Sequence, residues 1–183
     1  MPRHSKVSAM QSRLPLPETS RFDAAQRAVH DSILSTRGNL SGPFLAWMHS
    51  PALASPAEKL GAFCRYQTGF ALVESELLIL CVAAHFHCPG EQQIHEPIAL
   101  QAGLSPEAIA NIRAAASPVL TDERQRLLHR LATELLATHR IGDALYRQGI
   151  AAFGERGMVE LVGIVGYYAF VAMTLNAFEM RLA

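Results

Sequence analysis

Surplus charge of either sign is the first thing this 183-residue chain lacks, with 16 Lys and Arg set against 16 Asp and Glu. A chain balanced at a pI near 7.1 offers no basic face of the kind a nucleic-acid binder needs, and no single-sign tail for a polyelectrolyte partner. Cysteine is scarce: Cys64, Cys81 and Cys88 are an odd set with no CxxC pair. That argues against a disulfide framework and for free thiols in a reducing, cytoplasmic setting. Between Met1 and Val7 there is no apolar core of a secretion signal. Charged residues make up only 17% of the chain against 50% apolar, the reverse of a disordered composition. Strand-like alternation over a useful length and a fixed-period repeat are also missing. One soluble, apolar domain is what these absences leave.

Helical periodicity is present instead. Phe22, Ala25, Val29 and Ile33 predict an amphipathic helix over 21–37, ended by Gly38-Asn39. Gly42-Pro43 opens a short helix through Met48, and a further one runs from Pro51 or Pro56 to Tyr66. Residues 73–87 are apolar on nearly every face after Glu74-Ser75-Glu76, which predicts a helix inside the protein. Pro89 suits the first turn of a helix over 90–101, and Ser105-Pro106 reads as N-cap and first position of the next. Leu127, Leu128, Leu131, Leu135 and Leu136 mark a helix over 121–138, and 142–153 and 155–181 complete the set. The expected fold is all-α, a single helical domain of about eight helices over 21–183, behind a flexible N-terminal arm over 1–20. Leu161 to Phe178 carries no charge and just reaches the length of a membrane span. Gly163, Gly166, Thr174 and Asn176 within it, and Glu160 and Glu179 beside it, favour a buried core or subunit-interface helix and no membrane partner.

The sharpest absence is local. From Tyr66 to Ile112, 47 residues contain no Lys or Arg, yet hold Glu74, Glu76, Glu91, Glu96, Glu107, His85, His87 and His95. A glutamate on an apolar helix without a nearby cation has a costly charged form, so its pKa rises or it finds a histidine. That prepares a carboxylate for proton transfer near neutral pH. Glu74, Glu96 and Glu107 are expected in solvent or against arginines from elsewhere in the fold. Glu76 heads an apolar stripe ending at His87. Glu91 and His95 share a helix face at i,i+4, and Cys88 sits at that helix's N-terminal end, where the dipole favours a thiolate. Glu76, Cys88, Glu91 and His95 are therefore the candidate catalytic set, at the seam between two consecutive helices.

Glu76-Leu-Leu-Ile-Leu-Cys-Val-Ala-Ala, Cys88-Pro-Gly-Glu91 and His95-Glu-Pro-Ile-Ala-Leu-Gln-Ala-Gly-Leu-Ser105 resemble the carboxymuconolactone decarboxylase family, which includes the alkylhydroperoxidase D-like proteins. The likeness extends from Gly42-Pro43-Phe44 through His49-Ser-Pro51 to Gly166-Tyr-Tyr and Leu175-Asn-Ala-Phe178, leaving the arm outside. It implies an all-helical, alkylhydroperoxidase D-like subunit in a homo-oligomer (trimer, hexamer or dimer), with active sites near subunit contacts. The alkylhydroperoxidase D-like pattern places a second cysteine where this chain has Glu91. Cys81 lies two helical turns from Cys88, too far for a local disulfide. Two-cysteine cycling is thus in doubt, and a carboxylate at that position resembles the decarboxylase-like branch.

Four functions compete at this level. Lyase chemistry on a small organic acid or lactone, with no cofactor and no metal, uses His95 and Glu91 for protons and Glu76 to orient His95 or act as a second acid. Its anionic substrate needs a cation from Arg65, Arg113 or a neighbouring subunit. A peroxiredoxin-like thiol peroxidase uses Cys88, at lowered pKa, with an external reductant. A metal site draws on His85, His87, Glu91 and His95, although His85 and His87 point about 200° apart on one helix. A non-catalytic oligomeric binding protein keeps the pocket alone. Trp47, Phe44 and Met48 read as core; Tyr167 and Tyr168 read as core too, with one hydroxyl near the site as the alternative. His49, His129 and His139 read as surface or capping residues, and Cys64 and Cys81 as buried small hydrophobes.

Overall fold

A computed structural model describes residues 10–183. The first half of the expected arm, 1–9, lies outside the described residues. The second half lies on the body. Met10–Gln11 (β1) pairs antiparallel with Arg181–Leu182 (β2), and Leu14 and Leu16 pack against the core. Their apolar side chains give this stretch a reason to adhere that its prolines conceal.

Among the described residues eight α-helices follow, as the periodicity predicts. Helix α1 (Ala24–Arg37) opens on a capping box in which Asp23 accepts from Gln26 N and the Gln26 side chain accepts from Asp23 N. Helices α2 (Pro43–Trp47) and α3 (Pro51–Tyr66) each start on a proline. Then come α4 (Leu72–His85), α5 (Pro89–Ala102) and α6 (Pro106–Arg113), the last capped by the Ser105 hydroxyl accepting from Ala108 N at 3.1 Å. Helix α7 (Glu123–Thr138) is capped by Asp122. Helix α8 (Asp143–Ala177) takes in both expected C-terminal helices as limbs joined at Gly154, whose φ of 66° and ψ of 179° break the helical path. It stops at Ala177, short of the expected residue 181, because the chain turns through left-handed Glu179 to form β2.

Helix α4 is the axis of the molecule. It packs against α5, α6, α7 and α8, and every residue from Glu74 to Ala84 is buried. Its sequence has no polar face to offer solvent, so only the centre of the bundle satisfies it. Helix α8 passes the length and composition test for a membrane span, but 61% of the apolar window is buried in the fold, the behaviour of a core helix. Its outer side leaves Val159, Val162 and Met173 exposed. Glu74 pairs with Arg124 and Glu96 with Arg113, while Glu107 is exposed, as expected for these three carboxylates.

Candidate functional site

The turn between α4 and α5 builds the site. After His85 the chain passes through left-handed His87 (φ 47°), and Cys88 N donates to Ala83 O at 2.8 Å. Asn176 Nδ2 on α8 donates to Phe86 O at 2.7 Å and pins this turn. Pro89 then starts α5 without an N–H to satisfy. The reversal lays α5 along α4, so that mid-helix Glu76 meets His95.

His95 Nδ1 and Glu76 Oε2 are 2.7 Å apart, and His95 Nε2 lies 3.3 Å from Glu91 Oε2. All three residues are at most 3% exposed. With Glu76 accepting from Nδ1–H, the other ring nitrogen is turned towards Glu91. The Nε2–Glu91 approach is not aligned as a hydrogen bond, and Glu91 Oε2 is buried without a hydrogen-bond partner among the described residues, as is Glu76 Oε1. Burial raises the Glu91 carboxyl above its ordinary 4.5; His95 and Arg65 pull against this shift and the Glu76 charge adds to it.

A raised carboxyl has a definite effect on stability. Between the ordinary value and the raised one, the folded chain keeps a proton that the unfolded chain has lost, so stability falls as pH rises through that window. Glu91→Gln removes the titration. Its stability relative to wild type is expected to improve as pH rises above about 4.5 and to show no such trend below it, measured by urea midpoints across pH.

Glu91 and His95 border a cavity of about 270 Å³, together with Arg37, Arg65, Tyr167 and Tyr168. Glu76 stands behind His95. Cys88 does not reach the cavity: it is fully buried, with Sγ 3.9 Å from Ala172 O on α8. The expected thiolate is corrected here. Burial pushes the Cys88 thiol up to about 11, and the backbone N–H groups of Glu91 and Gly90 offset this only in part. The helix start lies beside the sulfur as expected, but packing against α8 removes the water that a thiolate needs. His85 and His87 are exposed and do not join Glu91 and His95. Among the described residues, no three His, Cys, Asp or Glu side chains gather as a metal site.

The cavity holds the cation that the motif region lacks. Arg65, one of the two candidates from the sequence, is there; Arg113 is occupied by Glu96 outside it. Arg37 is the residue that sequence reasoning misses. Its guanidinium lies 4.7 Å from the Phe44 ring centre and 5.8 Å from that of Tyr66, and Arg65 approaches the same Tyr66 ring at 5.7 Å. Nothing in the sequence near Arg37 signals a site, since it is the last residue of an ordinary amphipathic helix. Only the packing of α1 on α3 brings it in. Tyr167 and Tyr168 are buried, as expected of core residues, yet both also face the cavity. Burial raises both phenols, so they remain protonated donors at neutral pH. The Tyr168 ring meets His95 edge-on at 5.3 Å.

No protein-family model and no curated protein matches this sequence. Solved structures do. The alkylhydroperoxidase AhpD core of an uncharacterized peroxidase-related protein from Ralstonia eutropha JMP134 superposes with a TM-score of 0.77 at 18% identity, over 94% of this chain and 92% of that one. The fold is alkylhydroperoxidase D-like. A peroxidase-related protein from Silicibacter sp. TM1040 shares the alkylhydroperoxidase D-like fold at a TM-score of 0.76 and 15% identity, over 94% of this chain and 92% of that one. The debrominase Bmp8, solved without ligand, gives 0.73 at 12% identity, over 92% and 90%. A variant of the same debrominase holds 2,3,4-tribromopyrrole. At these identities the likeness concerns the fold.

Proposed function

We propose that the protein is an acid–base lyase acting on a small organic acid or lactone carboxylate, with Glu91 and His95 as its proton carriers. The supporting observation is the buried chain Glu76–His95–Glu91 opening on a cavity that also holds Arg65 and Arg37. The guanidinium groups receive the substrate's negative charge. Loss of CO₂ breaks the bond to the carboxylate carbon and leaves its electron pair on the neighbouring carbon, spread into an adjacent carbonyl. That carbon takes one proton from Glu91, which burial holds protonated beyond the ordinary carboxyl range. His95 Nε2 takes a proton from water, whose hydroxide passes to the solvent, and returns that proton to Glu91. Glu76 fixes the ring of His95 so that Nε2 faces the reacting end.

The experiment is incubation with a panel of β-keto acids and carboxylated unsaturated lactones in D₂O. The expected result is CO₂ release, with one deuterium on the carbon that carried the carboxylate. The thiol-peroxidase alternative, using Cys88 and an external reductant, draws support from the peroxidase-related proteins that share the fold. Against it stand the complete burial of Cys88 and its raised thiol. Cys88→Ser is expected to leave decarboxylation within about twofold of wild type, because the sulfur lies outside the cavity and meets Glu91 only at its backbone N–H. Hydroperoxide consumption by wild type that vanishes in Cys88→Ser would instead favour the peroxidase. The homo-oligomer implied by the sequence resemblance would be built on the outer face of α8, at Val159, Val162 and Met173.

A further inference from the structure

We propose that Gly61, in the middle of α3, determines how large a carboxylate the cavity admits, an inference that rests on the acid–base reading of that cavity. Glycine inside a helix is a costlier choice than alanine, so a packing reason is expected where one is buried. At Gly61 the reason is explicit. A Cβ there would stand 2.1 Å from Tyr167 Oη, 2.5 Å from Tyr167 Cζ and 2.8 Å from Arg37 Nη2. Tyr167 and Arg37 both line the cavity and Gly61 does not. The glycine lies behind them, as the floor on which they rest.

The phenol has little room to retreat sideways, and the guanidinium is packed on an aromatic ring. The phenol is rigid and sits between Trp47 (ring centres 6.4 Å apart, 72° between planes) and Tyr168 (5.3 Å, 90°). Arg37 is held over Phe44, and its Nε and Nη2 are buried with no hydrogen-bond partner among the described residues. Gly149 is a useful contrast, because a Cβ there would meet the flexible thioether of Met158, which can move aside. Added volume at residue 61 therefore drives the phenol and the guanidinium forward into a cavity of about 270 Å³. Volume is lost from the cavity, and large carboxylates lose more than small ones.

Acetate and benzoate are the probes, titrated while following the fluorescence of Trp47, the single tryptophan, whose ring meets both Phe44 and Tyr167. Wild type is expected to bind both. Gly61→Ala is expected to weaken benzoate by about tenfold or more and acetate by less than about threefold, a size-dependent loss that general destabilisation does not produce. In a Tyr167→Leu background, where the clashing Oη and Cζ are gone and Arg37 Nη2 alone still crowds the new Cβ, adding Gly61→Ala is expected to weaken benzoate by less than about threefold. Equal weakening of the two anions, or an equal effect of Gly61→Ala with and without the Tyr167 ring, overturns the proposal. If Gly61→Ala alone does not fold, the double variant decides. Folding and binding benzoate within about threefold of Tyr167→Leu supports the proposal, and failure of either overturns it. Wild type that binds neither anion defeats the anion-cavity reading itself, a result distinct from size selectivity that does not depend on residue 61.

Discussion

Replacing His95 by glutamine is expected to lower kcat by about 10²–10⁴-fold on any carboxylate that the wild type turns over, the usual weight of a positioned acid–base group. Glutamine still offers an N–H donor to Glu76 Oε2 but cannot take up and return a proton. Activity and folding therefore separate in this variant. His95→Ala removes both roles. It leaves a Glu76 oxygen, wholly inside the protein, without its hydrogen-bond partner, at a cost of about 1–3 kcal/mol in stability. Steady-state kinetics and urea midpoints on the two variants distinguish the roles. Undiminished turnover in His95→Gln would remove His95 from the chemistry and leave it a structural partner of Glu76.

Leu78→Ala should produce the largest loss of stability from an apolar side chain, about 2–5 kcal/mol by denaturant unfolding. Leu78 is fully buried on α4, the helix that α5, α6, α7 and α8 all pack against, so the methyl groups removed leave a space that no neighbour can fill without moving the centre of the bundle. Leu60→Ala is the control, since that side chain is about half exposed on α3 and its loss is expected to cost within about 0.5 kcal/mol. A similar cost at both positions would mean that α4 is not the packing axis.

Most helices were legible because they carry start or stop chemistry of their own: Pro43, Pro51, Pro89 and Pro106 at first turns, Ser105 as a cap and Gly38 at the end of α1. The termini were less legible. The residues 10–20 half of the expected arm pairs with the last residues of the chain, a contact more than 160 positions away that no local pattern reports. Within the site, the Glu–His pairing was foreseeable because two residues at i,i+4 share a helix face and a tight turn must reverse α5 onto α4. Cys88 was misjudged for a definite reason. Position at a helix start is a sequence property, but whether the sulfur faces water or a neighbouring helix is not, and here α8 covers it.

From residue order alone came the all-helical class, the cation-free stretch from Tyr66 to Ile112, and the Glu76, Glu91 and His95 set. These depend on spacings of a few residues, which a helix or turn converts directly into geometry. The tertiary packing supplied Arg37 and Arg65 to that stretch, turned Tyr167 and Tyr168 into cavity walls, withdrew Cys88 from it, and gave Gly61 its purpose. Each of those outcomes brings together side chains from α1, α3, α5 and α8, and contacts between distant segments are set by how whole helix faces bury their apolar area, not by any one segment's pattern.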